Sequence, residues 1–344
     1  MRPNTRLLSL AAPMLAATLL VATTVTIAAP AQPDLSPVGI ESVRRGTAHD
    51  AVFALSMAAD GRGLAVGAAG TMLTTADHGR TWVEQKPVTG LGLLGVATAG
   101  ARQIAVGQGG AVLVRSGGGD WRTVDSGSDQ RLFAVAIDEA GVAIAVGAFG
   151  AILKSADGGG TWSAFKPNWA VMSEQGIEPH LYAVSLGTDG SVTVAGEGGF
   201  ILRSALSGAA DWKVLHVGDL ANQKGDASLF ALSLTPDGRG YAGGQDGVLL
   251  MTADGGASWQ PIDSGTREIL LGVVPVGDGV LVCTTYGLRR GTPDDAGKLR
   301  WQAVADDRIG GGWYAAMTPA GDGNSVLLAG HAGRIVRVSP AALR

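Results

Sequence analysis

Five histidines, His49, His78, His180, His216 and His331, are the side chains best able to hold a metal or move a proton near neutral pH. None stands in a His-x-x-x-His or comparable ligand spacing, so they read as loop or solvated residues and no metal site is expected. The single cysteine, Cys283, sits in the apolar run Val282-Cys283-Thr284 and reads as a small buried hydrophobe. Being alone, it also rules out an intrachain disulfide. Gly107-Gln108-Gly109-Gly110 has the look of a phosphate cradle, but it opens a strand-forming run and not a helix, so no phosphate loop is expected. No cofactor is called for.

The glycines mark turns instead. The chain holds 54 glycines in 344 residues without a collagen-like period, and its apolar residues come in short runs of about five. That pattern favours many short strands over helices. Aligned on the last residue of a Gly-x-x-Gly turn, seven copies appear, ending at Gly70, Gly110, Gly150, Gly199, Gly247, Gly287 and Gly333. The sixth copy is degenerate, Thr284-Thr285-Tyr286-Gly287. The spacings are 40, 40, 49, 48, 40 and 46 residues, each unit reading as about four strands. A period of that length predicts an all-β, seven-bladed β-propeller. Six units open their fourth strand on a tryptophan, Trp82, Trp121, Trp162, Trp212, Trp259 or Trp301. The seventh has none, because the chain stops soon after Val336-Arg337-Val338. A three-stranded last blade would leave an open edge, so the N-terminal segment Gly39–Val43 is predicted to pair there and close the ring.

The connections between third and fourth strands carry a further pattern. Thr75–Trp82, Ser155–Trp162 and Thr252–Trp259 resemble the Asp-box, Ser-x-Asp-x-Gly-x-Thr-Trp, of bacterial-neuraminidase-type repeats. Copies at Ser116–Trp121 and Ser204–Trp212 are degenerate. Asp77, Asp157 and Asp254 are expected to accept backbone N–H bonds across their turns, with Trp82, Trp162 and Trp259 packed between blades. This is a folding device first. It raises the possibility of sialidase chemistry, which needs an arginine cluster, a tyrosine nucleophile with a glutamate base, and an aspartic acid. Only Tyr182, Tyr241, Tyr286 and Tyr314 are available, the Phe/Tyr-Arg-Ile-Pro motif is missing, and Arg131, Arg267 and Arg334 do not form a recognisable triad. No catalytic residue is assigned.

Strand alternation places all Gly-x-x-Gly turns and all inter-blade links on one face of the ring, and the Asp-box turns on the other. The two longest links, Lys166–His180 and Lys213–Ser228, therefore lie on the first face. Its candidate partner-binding residues are Arg131, Phe149, Trp169, His180, Glu197, Gln245, Asp246, Arg267, Tyr286 and His331, with Trp169 the expected anchor. A mixed polar and aromatic rim of this kind suits a protein or peptide.

Residues 1–31 read as a secretory signal peptide, or as an uncleaved membrane anchor. Arg2 and Arg6 precede an apolar run from Leu7 to Ala29, and Ala29-Pro30-Ala31 fits a cleavage site. Residues 32–344 then form one propeller domain, periplasmic or secreted. The formal charge of −4 falls to about −6 without those two arginines, which gives no footprint for nucleic acid.

The pattern Ile144-Ala145-Val146-Gly147-Ala148-Phe149-Gly150-Ala151-Ile152-Leu153-Lys154-Ser155-Ala156-Asp157-Gly158-Gly159-Gly160-Thr161-Trp162, in seven copies behind an export signal, resembles the photosystem II stability and assembly factor family. The resemblance spans roughly residues 35–340. It implies a seven-bladed, lumenal or periplasmic propeller without enzymatic activity that binds a membrane-protein complex during assembly; separately, the chain is expected to be a monomer. That family's arginine-rich surface is represented only by Arg131 and Arg267, and the mature chain is acidic. Alanine, glycine, valine and arginine usage points to a GC-rich bacterium that need not be phototrophic, for which an inner-membrane transporter or envelope complex is the more natural client. The alternative is a carbohydrate-binding or sialidase-like propeller.

Overall fold

A computed structural model describes residues 39–172, 176–207, 210–218, 227–310, 312–323 and 325–339. The expected leader lies outside the described residues. Seven four-stranded antiparallel sheets form the blades of a propeller. Their innermost strands are Val52–Met57, Leu93–Ala99, Leu132–Ile137, Leu181–Leu186, Leu229–Leu234, Leu270–Val276 and Tyr314–Pro319, for blades 1 to 7 in order. The last blade is completed by Ile40–Arg44, which pairs antiparallel with Ile335–Val338, Ile40 opposite Val338 and Ser42 opposite Val336. The ring is closed by its own N-terminal strand, as the alternation of strands requires.

The second strand of each blade is sandwiched between neighbouring blades, which explains its composition. Ala143–Gly147 and Val326–Gly330 are buried along their whole length, and small or β-branched residues fill both faces. Among the described residues the core divides into seven clusters, each shared by two adjacent blades. Leu64, Val66 and Met72 of blade 1 pack on Leu93, Ala105 and Leu113 of blade 2, for example. Cys283 belongs to the cluster between blades 6 and 7, fully buried, and burial pushes its thiol up to about 12. No blade has a core of its own.

The tryptophans join blade to blade. Trp82 packs into the cluster between blades 7 and 1, Trp162 into that between 2 and 3, and Trp259 into that between 4 and 5. Each is held by the turn before it. Asp157 Oδ1 accepts the Thr161 N–H at 2.9 Å and the Ser155 hydroxyl at 2.7 Å, and Oδ2 accepts the Thr161 hydroxyl at 2.8 Å. The Trp162 indole N–H then reaches Gly159 O at 3.0 Å. The same set recurs at Thr75–Trp82 and Thr252–Trp259.

These bonds hold the carboxylates in their charged form. The Thr161 backbone N–H, followed by the Ser155 hydroxyl, lowers Asp157 from its ordinary 3.8 to about 2. The Ser258 hydroxyl and N–H bring Asp254 to about 2, and at Asp77 the Thr81 and Thr75 bonds outweigh the raising effect of burial to give the same result. A depressed folded value stabilises above the unfolded value and is lost as pH falls through the folded one. Stability should therefore be flat above about pH 5 and decline as pH falls from about 4 to 2, by on the order of 1 kcal/mol per turn after solvent screening. Thermal melts across that range check this. Replacing Asp77, Asp157 and Asp254 together by asparagine should reduce the decline without abolishing it, because the Thr235 hydroxyl also lowers Asp237 to about 2.

Candidate functional site

The Gly-x-x-Gly turns gather on one face because each is stapled to the link entering its own blade. Ala148 N–H donates to Arg131 O at 2.8 Å, and Glu197 N–H to His180 O at 2.8 Å. The approach is so close that a side chain on Gly147 would lie 2.2 Å from Arg131 O. Four of the turns, at Ala68–Gly70, Gln108–Gly110, Glu197–Gly199 and Gln245–Gly247, adopt one short helical turn, and six of the seven hold their third residue in the left-handed region. The blade 6 copy differs. Thr284 stands where its sisters have glycine, the staple from Thr285 N–H to Ile269 O lengthens to 3.2 Å, and the Thr284 hydroxyl takes up the Tyr286 and Gly287 N–H groups.

The third position explains one residue and isolates another. Its occupants are Ala69, Gly109, Phe149, Gly198, Asp246 and Ala332, all with φ between 48° and 63°. Glycine or a small or Asx residue is the ordinary choice there. Phe149 holds a bulky ring at φ 51° and leaves it 56% exposed. Its N–H donates to His180 Nδ1 at 3.1 Å, and the two rings meet edge to face with centroids 4.9 Å apart. Phe149, His180, exposed Arg131 and Phe133 line one surface pocket of about 430 Å³.

Phe133 also lines the central channel, of about 410 Å³, and so stands between the two spaces. Each innermost strand breaks register once, at Phe53, Leu94, Phe133, Tyr182, Phe230, Leu271 or Ala315. A bulge re-aims a side chain, and here all seven bulge residues line the channel at the end where their strands begin. Six of the seven are large and apolar or aromatic. Phe133 and Tyr182 are 5.3 Å apart, and Tyr182 and Phe230 5.0 Å, so rings from blades 3, 4 and 5 form an arc. Across the mouth Phe53 stacks on Trp313 at 6.3 Å, and His331 lies 6.1 Å from Trp313.

The structure thus brings together Arg131, Phe149, His180 and, through His180, Glu197, whose Oε2 accepts the His180 N–H at 3.0 Å. Tyr286 is 79% exposed and Arg267 is exposed, but both belong to blade 6 and its entry, away from the arc. Asp246 is exposed on blade 5. Gln245 is half-buried and committed to the frame, its Oε1 accepting the Ser228 N–H at 2.9 Å, as Gln108 does for Gly92. Trp169 is not a surface anchor: it is 3% exposed, in the short helix Trp169–Met172. Its indole fills the space above Gly150 and donates to Gly150 O at 3.1 Å, because a buried indole N–H needs an acceptor. Phe133, Tyr182 and Phe230 were not among the expected site residues. The signal available was the large residue directly after the first leucine of the innermost strands of blades 3, 4 and 5.

Burial, then the nearby Glu197 charge, pushes the Tyr182 phenol up, the wrong direction for a nucleophile. Arg334 is committed to Gly310 O at 2.9 Å and the Tyr314 hydroxyl at 3.3 Å on blade 7, far around the ring from Arg131. Among the described residues, no group of three histidine, cysteine or carboxylate side chains is arranged for a metal ion.

Fold and face together define a seven-bladed propeller with an aromatic channel mouth on its linker side. No family model matches the chain, and no curated protein matches its sequence. Its fold is shared with solved structures of low sequence identity. YCF48 bound to D1 peptide aligns with a TM-score of 0.67 at 18% identity, over 90% of this chain and 99% of that one. YCF48 from Cyanidioschyzon merolae gives 0.68 at 18% identity, over 88% and 99%. The WD40 β-propeller domain of Doa1 gives 0.63 at 13% identity, over 90% and 100%.

Proposed function

We propose that this chain is a non-enzymatic, monomeric propeller, exported to the periplasm, that holds a segment of a membrane-protein complex and supports its assembly or stability. The observation that carries the reading is Phe149, an exposed ring kept in a left-handed conformation beside an aromatic channel mouth. Local strain at an exposed aromatic on a rigid scaffold is a cost that folding does not require. A propeller of this fold, YCF48, has been solved with the D1 peptide bound, which supports a peptide-holding role for the scaffold. The sequence resemblance to photosystem II assembly factors points the same way. A transporter or envelope complex remains the natural client in a host without photosystems.

The raised Tyr182 phenol and the separated arginines speak against the sialidase-like reading. Affinity purification of the full-length protein from detergent-solubilised, crosslinked membranes should recover one dominant membrane-protein partner. Recovery of the protein alone, or turnover of a fluorogenic sialoside, would overturn the proposal.

A further inference from the structure

We infer that the mouth of the central channel, between blades 3 and 5, receives a lysine or arginine side chain of the bound segment, seated against Phe133, Tyr182 and Phe230 and paired with Glu197. The inference rests on the peptide-holding reading and names the chemistry of its recognition. Three rings contributed by successive blades, tilted 46° and 54° to one another, line the channel wall. Aromatic faces carry negative potential, and several rings around one space favour a cation over a neutral chain of equal size. The channel volume of about 410 Å³ admits a long side chain in extended form.

Charge separates a cation from a plain apolar occupant. Glu197 is exposed, and one carboxylate oxygen holds the His180 N–H. Among the described residues, no lysine, arginine or histidine side chain forms an ion pair with it. His180 does not supply the missing charge at Nδ1, which accepts the Phe149 N–H and so carries a lone pair. Exposed Arg131 lies on the blade 3 side, in the pocket with Phe149. The cation the protein itself supplies thus lies on the blade 3 side, and Glu197 of blade 4 has no ion pair among the described residues. The carboxylate reaches the arc through His180, whose backbone N–H it accepts at 3.0 Å and whose ring centroid lies 6.2 Å from that of Phe133 and 6.3 Å from that of Tyr182.

The chain has only six phenylalanines and four tyrosines, so ring-labelled protein gives a readable set of signals. The probes are acetyl-Gly-Lys-Gly-amide, its arginine counterpart, and its norleucine counterpart, which keeps the four-carbon stem of lysine and lacks the charged head. Titration should shift the Tyr182, Phe133 and Phe230 signals, with lysine and arginine binding at least about tenfold more tightly than norleucine. Tyr182→Phe should retain that preference. Tyr182→Leu and Glu197→Gln should each reduce it by about tenfold; the glutamine keeps a carbonyl for the His180 N–H, and an unchanged melting temperature confirms the fold. Equal binding of the norleucine peptide, or lysine binding that ignores Glu197→Gln, would overturn the inference. If membranes still yield a dominant partner while the norleucine peptide binds equally, the cation site falls and the scaffold role stands. If the lysine preference holds and no partner is recovered, the membrane-client reading is the part that fails.

Discussion

Replacing Phe149 by glycine is expected to leave the propeller as stable or more stable, by about 0.5 kcal/mol, while weakening capture of its partner at least tenfold. Two terms oppose each other. A bulky residue in the left-handed region costs on the order of 1 kcal/mol relative to glycine. Against that, the ring's contact with His180 is worth about 0.5 kcal/mol at a half-exposed site. Sister turns with Gly109 and Gly198 at this position show that the frame accepts glycine there. Phe149→Ala is the informative companion. It removes the ring and keeps the backbone cost, so it should lose both binding and about 0.5–1 kcal/mol of stability. Urea midpoints and quantitative pull-downs from solubilised membranes read the two effects separately. A glycine variant that binds normally would remove Phe149 from the interface. One that unfolds early would make it a structural residue.

Deletion of residues 39–45 is expected to produce the largest loss of stability available from a short change, about 5 kcal/mol or more, and to render the protein prone to association. Ile40 is 2% exposed and packs with Tyr314, Val336 and Val338 between blades 6 and 7. Losing that side chain alone should cost about 2–4 kcal/mol, which Ile40→Ala measures. The deletion also removes the ladder to Ile335–Val338 and the Arg44 bond to Gly333 O at 2.7 Å. Buried Arg337 loses Glu41 and keeps Asp322 as its ion-pair partner. What remains is an open edge on Ile335–Val338, a strand buried along its whole length in the intact ring, whereas outer edges such as Val83–Glu84 and Ser163–Ala164 are short and exposed. Denaturant titration and light scattering check both parts. A truncated protein that melts like the intact one would show that closure of the ring is dispensable.

The fold was legible because its signals repeat. Seven turns in register, and six tryptophans each opening an outer strand, give the blade count without any knowledge of packing. The missing tryptophan of the last unit pointed to Ile40–Arg44 as the closing strand. Faces followed from alternation, which is why Arg131, Phe149, His180 and Glu197 were placed on one side of the ring.

The interior of the site was not legible for two physical reasons. The innermost strands are flanked by protein on most sides, so their apolar residues carry no alternation to separate channel from blade interface. The bulge then shifts phase by one residue, which turned Tyr182 and Phe230 into the channel against the simple pattern. Trp169 failed for the opposite reason. A tryptophan on a long polar link looks exposed, but the link folds down onto Gly150, whose missing side chain makes room for the indole. Tyr286 was grouped with its sister turns on spacing alone, and the Thr284 side chain reshapes that turn.

The closing strand also sets the order of events in folding. Residue 40 finds its place only beside residue 338, so the first strand among the described residues to be synthesised is among the last to be used. Bringing those ends together requires closing a loop of nearly the entire domain, an entropic step that the intervening blades reduce by stacking first. Blades 3 to 5, which carry the aromatic arc, can stack on their neighbours before either end arrives. Until then the waiting segment and the bare edge of Ile335–Val338 are both available to other chains. A stall before Ile335–Val338 can pair should leave a long-lived, sticky intermediate.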